Sequence, residues 1–174
     1  MTGFLSACQT TTTKKGYTNP NYPISSVSRV AILSFDGVTD ANVAADMISM
    51  VLANREVFEA IVDRAEINSV IAEHQLPDKL INDDTVIAKK ELINADALLK
   101  GRVTRFSQGV PSVPMATPTI ISMSLKLISA ETGQTIWTQF YSKSSGGRGL
   151  AAPSVDEMMI EMAEEIANDL ANLK

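Results

Sequence analysis

Cys8 is the only thiol in this chain, and Leu5, Ser6 and Ala7 run directly into it. The two small residues before it leave the backbone open to close approach, and a lone thiol is a nucleophile with no partner Cys in the chain. With a single Cys, no disulfide can form within the chain, and Cys-based metal sites are excluded. His74 is the only imidazole, so Ser-His-Asp catalysis would have to run through it. No G-x-S-x-G elbow supports that role. Its position beside Gln75, near a predicted helix end, is explained by the helix dipole or by solvation.

Other polar groups invite chemistry and are read more simply. The stretch Phe35-Asp36-Gly37-Val38-Thr39-Asp40 approaches the D-x-D-G-T pattern of phosphoaspartate enzymes. Ser34 stands where the attacking carboxylate belongs, so the segment is read as a strand-to-helix turn. Ser145-Gly146-Gly147-Arg148-Gly149 could offer amides and a guanidinium to an anion. It lacks the G-x-x-x-x-G-K-[ST] pattern and is read as a flexible loop, with Arg148 as a possible contact to a partner. Glu161, Glu164 and Glu165 are read as a solvated helix face rather than a metal or acid–base cluster. No cofactor and no metal site is expected.

The tetrapeptide Leu5-Ser6-Ala7-Cys8 resembles the lipobox of bacterial lipoproteins. On that reading, residues 1–7 are the remnant of a signal peptide whose basic and apolar parts belong upstream. Cys8 then becomes the first residue of a lipid-bearing chain. Gln9, rather than Asp, follows it. By resemblance to enterobacterial sorting, this points to the outer membrane, on its periplasmic face.

The chain has 174 residues, enough for one domain with a sizeable core and a tail. Its hydrophobic share of 45% is ordinary for a globular protein. No run of eighteen or so apolar residues is present, so no helix is expected to cross a bilayer and lipid alone would anchor the chain. A net charge of −5 argues against nucleic acid as a partner.

Residues 9–26 are rich in Thr, Asn, Pro and Ser. This composition predicts a flexible linker over 8–28, with a reach of about 20–25 Å. A single domain is expected over 29–174. Val30-Ala31-Ile32-Leu33 reads as a central strand covered on both faces. Asp40 should cap a helix to about Asn54, with Val43, Met47, Met50 and Val51 inward. A second strand is expected over 57–62. Helices should follow after Asp63, with Ile67, Val70 and Ile71 on one face, and over about 84–94, with Val86, Ile87, Leu92 and Ile93. Residues 97–106 form a strand interrupted by Gly101, and 107–118 a Pro-rich loop. Ile121, Met123, Leu125 and Leu127 alternate with polar residues, predicting a half-buried strand. After a turn at Glu131–Gln134, residues 135–141 return antiparallel. Residues 142–153 form a second loop. Ser154 and Glu157 make a capping box for the last helix. Its stripe is Val155, Met159, Met162, Ile166, Leu170 and Leu173. The helical methionines Met47, Met50, Met158, Met159 and Met162 are read as core. The order β-α-β-α-α-β-β-β-α defines an α/β (α+β) domain: a mixed sheet of about five strands with packed helices.

Four blocks of this sequence resemble a known family. Val30-Ala31-Ile32-Leu33-Ser34-Phe35 is similar to the "VAVLPF" strand of CsgG-like envelope lipoproteins. Asp63-Arg64-Ala65-Glu66, continuing to Gln75-Leu76, is similar to their "ERSELDKVLEEQ" segment. Asn94-Ala95-Asp96-Ala97-Leu98-Leu99-Lys100-Gly101-Arg102-Val103 resembles "GADALVVGSV". Leu125-Lys126-Leu127-Ile128, Glu131-Thr132-Gly133 and Ile136-Trp137 resemble "ARLIDVETGEVLW". The resemblance implies a fold like the anticodon-binding α/β domain. That fold is shared by the curli-secretion channel lipoprotein, LpoB-like activators of peptidoglycan synthases and the N-terminal domain of TolB.

Fold does not settle function among these. The expectation is a non-catalytic, lipid-anchored accessory that binds an envelope protein, either a peptidoglycan synthase or a secretion complex. The alternative is a homo-oligomeric ring subunit of a curli-like secretion apparatus. A membrane hairpin needs more than about twenty residues. The loops 107–118 and 142–153 are shorter, so a pore from this chain alone is not expected. Candidate partner contacts are Val110, Val113 and Met115 in the Pro-rich loop, Arg148, and Trp137, which is read either as a large side chain packed on the sheet or as an exposed aromatic anchor.

Overall fold

The computed structural model describes residues 10–62, 65–67, 69, 94–110, 117–145 and 153–174. Seven strands form one mixed sheet: β1 (Thr10–Thr18), β2 (Arg29–Ile32), β3 (Asp36–Gly37), β4 (Ala60–Val62), β5 (Ala97–Ser107), β6 (Ile120–Ser129) and β7 (Thr135–Ser145). The spatial order is β1-β7-β6-β5-β2-β4, with β3 paired to β5. Strands β2, β3 and β4 pair in parallel, and β5-β6-β7-β1 is an antiparallel ribbon. Helices α1 (Ala41–Asn54) and α2 (Val155–Leu173) lie on one face. The fold class matches the expectation, with more strands than the five anticipated.

The largest departure is β1. Residues 10–18 are not linker: they pair antiparallel with β7 from Thr10↔Ser145 to Thr18↔Trp137. Their Thr-rich composition, read as flexible, is also β-branched and suits a strand. Nearly every side chain in β1 is exposed, so the backbone ladder holds it, with no apolar face to announce it. Asn19 ends the strand and turns the chain: its side chain donates to the Thr135 carbonyl at 3.1 Å and accepts from the Asn21 amide at 3.0 Å.

Helix α1 starts where expected, but Asp40 accepts no capping hydrogen bond and the inward face is different. The buried positions are Ala41, Ala44, Ala45, Ile48, Val51 and Leu52. Val43 and Met50 are exposed, at 41% and 50%. Alanines let the helix axis approach the sheet closely, so the smaller residues take the core side. Helix α2 follows its sequence more closely. Ser154 Oγ accepts from the Glu157 amide at 3.1 Å, and a Glu157 carboxylate oxygen accepts from the Ser154 amide at 2.9 Å. Met158, Met159, Met162, Ala163, Ile166, Ala167 and Leu170 are buried; Leu173 is exposed. Each large side chain buried there contributes about 1.5–3 kcal/mol.

The main core lies between the helices and the face of the sheet that carries Leu99, Val103, Met123, Leu125, Leu127, Trp137 and Tyr141. A smaller cluster on the opposite face joins Ala31, Leu33, Val62, Ala95, Leu98 and Ile128 to the helical residue Ile67. The double burial of β2 is as anticipated. Residues 65–67 and 69 are helical, while the rest of the two middle helices, with Val70, Ile71, His74, Val86, Ile87, Leu92 and Ile93, lie outside the described residues. The strand expected over 57–62 is confined to Ala60–Val62.

Gly101 does not interrupt β5. It sits under the Phe35 ring, and a Cβ there would lie 2.5 Å from ring carbons. Gly37, at φ +118°, brings β3 onto β5 so closely that a Cβ would overlap the Val103 carbonyl. The irregularity in β5 comes instead between Val103 and Arg105, where the register with β6 shifts.

Candidate functional site

Trp137, for which the sequence leaves two readings, a side chain packed on the sheet or an exposed anchor for a partner, is packed in the core at 1% exposure. Its ring stands 6.4 Å from that of Tyr141, tilted by 50°. Val110 is exposed at 56%, in keeping with a contact residue. Val113, Met115, Arg148 and the lipobox residues Leu5, Ser6, Ala7 and Cys8 lie outside the described residues.

The sequence reading also missed an ionic clasp between the sheet and α2. Lys143, on β7, projects toward the helix, with its side chain only 4% exposed. Its Nζ sits 2.8 Å from Glu161 Oε2 and 2.8 Å from Glu165 Oε1. Lys14, on β1, donates to both oxygens of Asp169, at 3.0 and 2.9 Å. Tyr141 Oη donates to Asp169 Oδ2 at 2.9 Å, and Thr12 Oγ1 to Glu165 Oε1 at 3.2 Å. Glu161, Glu165 and Asp169 recur every four residues and so share one side of the helix. The solvated face expected for the glutamates is thus corrected. Glu161 and Glu165 dock on lysines, and Glu164 pairs with Arg55, whose Nε lies 2.7 Å away. The buried Glu165 Oε2 makes no hydrogen bond, and the Lys14 ammonium lies 3.7 Å from it.

This clasp tunes two protons. Burial works against the charge on Lys143, but hydrogen bonds to Glu161 and Glu165, with their negative charge, win and hold its pKa above the ordinary 10.5. Burial, then the bond to Asp169 and its negative charge, raise the Tyr141 phenol far above its ordinary 10.0. Both groups bind their protons more tightly in the folded chain than in the unfolded one. Their stabilisation is complete below the unfolded values and is lost as pH rises through the folded ones. The melting temperature should therefore hold up to about pH 10 and then fall. Thermal melts across that range should show a shallower fall in Tyr141→Phe. An equal fall would remove the phenol from the account.

The opposite face of the ribbon differs in character. Register places Arg102, Ser124, Phe140 and Lys15 in one row across β5, β6, β7 and β1. A second row reads Arg105, Ser122, Ser142 and Thr13, and a third Lys100, Lys126, Thr138 and Tyr17. Hydroxyls occupy the middle, with Ser122 and Ser142 Oγ atoms 2.8 Å apart. Lys15, Arg102 and Arg105 are exposed, as are Phe140 at 37% and Tyr17 at 53%. Strands β1, β5, β6 and β7 contain no Asp or Glu at all. Helix α2 has six acidic positions, Asp156, Glu157, Glu161, Glu164, Glu165 and Asp169, and no basic one. The overall charge of −5 therefore hides a basic sheet and an acidic helix layer.

Among the described residues no cluster of His, Cys, Asp and Glu could hold a metal. A shallow cleft of about 330 Å³ lies where β1, β7 and the end of α2 meet, lined by Gly16, Gln139, Asp169 and Asn172. Among the described residues no helix is long and apolar enough to cross a membrane.

The domain is thus a helix-backed mixed sheet with one basic, hydroxyl-bearing face. The family described as "curli production assembly/transport component CsgG" matches residues 11–114, and the chain belongs to that family. Among solved structures, the PelC dodecamer from Paraburkholderia phytofirmans is similar, with a TM-score of 0.61 at 14% identity, covering 92% of this chain and 98% of that one. Lipoprotein GNA1162 from Neisseria meningitidis aligns with a TM-score of 0.56 at 11% identity, covering 83% and 99%. The hypothetical protein CT253 from Chlamydia trachomatis aligns at 0.54 and 12% identity, covering 84% and 97%. At these identities the likeness is one of fold. No curated protein matches the chain.

Proposed function

We propose that this chain is a lipid-anchored envelope protein that works by docking to protein rather than by catalysis. Lipid on Cys8 would hold it at the periplasmic face of the outer membrane, and the CsgG-family domain would present the contact surface. The observation that carries the reading is the exposed sheet face, whose Lys15, Arg102 and Arg105 take part in none of the ion pairs found among the described residues. Two occupants fit a docking surface: another envelope protein, such as a peptidoglycan synthase or secretion component, or further copies of the chain in a ring. The dodecameric state of PelC supports the ring-subunit reading.

Crosslinking in intact cells, from a full-length precursor, tests this. A product containing another envelope protein supports an accessory role. A large product of this chain alone supports the ring. Absence of any crosslinked species would overturn both. In parallel, Cys8→Ala should abolish palmitate labelling and membrane association. A variant that stays in the membrane fraction removes the anchor.

A further inference from the structure

The two layers of this domain carry complementary surfaces. One is the basic ribbon face, with Lys15, Arg102 and Arg105 around Phe140 and Tyr17. The other is the outer side of the helix layer. There Asp46, Asp156 and Glu157 are exposed on the helices, and Glu56 and Glu59 are exposed in the turn after α1, where Lys174 stands with them. Met50, at 50%, and Ile160, at 42%, are exposed apolar side chains of the same two helices. Arg55 is exposed as well, paired with Glu164. Each surface thus has exposed apolar groups among charges mostly of one sign, and the dominant signs are opposite.

We infer that the basic sheet face of one copy docks on the acidic helix layer of the next, front to back. The inference rests on the ring-subunit reading and names the surfaces it uses. The two faces of one chain are complementary in charge. Two like faces repel, so a two-fold dimer through either face is disfavoured, while sheet against helix layer attracts. Front and back are different surfaces, so the contact is heterologous. Repetition closes into a ring where successive copies rotate, and runs on as a filament where they do not. Aromatic groups on one side can meet Met50 and Ile160 on the other, which supplies the apolar centre that a charged rim surrounds. Asp36, in register beside Arg102 on β3, lies at the rim of the basic face and forms no ion pair with it among the described residues.

The test is a pair of charge reversals in the full chain, held in mild non-ionic detergent. One variant is Arg102→Glu/Arg105→Glu, which reverses two charges of the sheet face. The other is Asp156→Lys/Glu59→Lys, which reverses two charges on the helix side and spares the clasp and the capping box. Each alone should lower the association constant at least tenfold by sedimentation velocity, because two attractive groups of the contact become repulsive. Mixed together they should regain association, since the new carboxylates of one variant then face the new ammonium groups of the other. High salt should weaken wild-type assembly and the rescued mixture alike.

If both variants assemble as the wild type does, the two faces are wrong and the ring reading stands. If the wild type is monomeric at the highest attainable concentration, the ring reading fails and takes this inference with it. A monomer that sediments with phosphatidylglycerol–phosphatidylethanolamine vesicles, and loses them in Arg102→Glu/Arg105→Glu, would overturn self-docking and assign the face to a lipid surface.

Discussion

Replacing Lys143 by methionine should lower the unfolding free energy by about 2–4 kcal/mol. The ammonium is almost wholly enclosed and bonds to Glu161 and Glu165, both at 2.8 Å. Methionine fills much the same space, so the loss measures charge rather than volume. The cost comes from Glu165. Its side chain is 28% exposed, and one of its oxygens is already buried without a hydrogen bond. Deprived of Lys143, it keeps only Lys14 at 3.7 Å and the Thr12 hydroxyl. Removing one member of such a pair costs more than the pair contributes, because the other charge stays behind. The estimate sits at or below the buried-pair range because water reaches part of both carboxylates. The double variant Lys143→Met/Glu165→Gln should regain more than half of the loss. Urea unfolding of the three proteins decides it: an unchanged midpoint in Lys143→Met would show that the clasp contributes nothing.

Trp137→Ala should cost about 3–5 kcal/mol, the range for deleting a large buried aromatic side chain. The residue pairs with Leu127 on β6 and Thr18 on β1, so the cavity would open beside the join between β1 and the rest of the sheet. Val110→Ala, at a site 56% exposed, should change stability by no more than about 0.5 kcal/mol. Trp137 is the chain's only tryptophan. Its emission should therefore be blue-shifted and resistant to iodide quenching, changing only on unfolding. Efficient quenching in the folded protein would favour the other reading of its sequence, an exposed anchor.

The helical and central parts of this fold were legible because their sequence signals are local. Ser154 and Glu157 stand three apart at the start of an apolar stripe, and the structure makes both bonds of the capping box. Ile121 to Leu127 alternates, and β6 buries that side. The resemblance of residues 29–140 to CsgG-like proteins agrees with the family match over 11–114. Errors arose where the deciding partner is distant in sequence. The face of α1 was judged by size, favouring Val43 and Met50, whereas close packing on the sheet selects Ala44 and Ala45. The clasp joins Lys14 to Asp169 across 155 residues, so nothing local separates Glu165 from a solvated glutamate. β1 shows no apolar alternation, because its other edge and most of its side chains face water.

That same strand sets the working radius of the domain. A linker over residues 8–28 would have given it a reach of about 20–25 Å. Instead the sheet begins at Thr10, two residues after Cys8. At about 3.5 Å per residue, a lipid on Cys8 would hold the fold within roughly 7 Å of its anchor. The volume open to the domain would then shrink by the cube of that ratio, roughly thirty-fold, and its local concentration would rise to match. A domain held so closely would meet only what comes to the membrane surface, with a restricted choice of orientations.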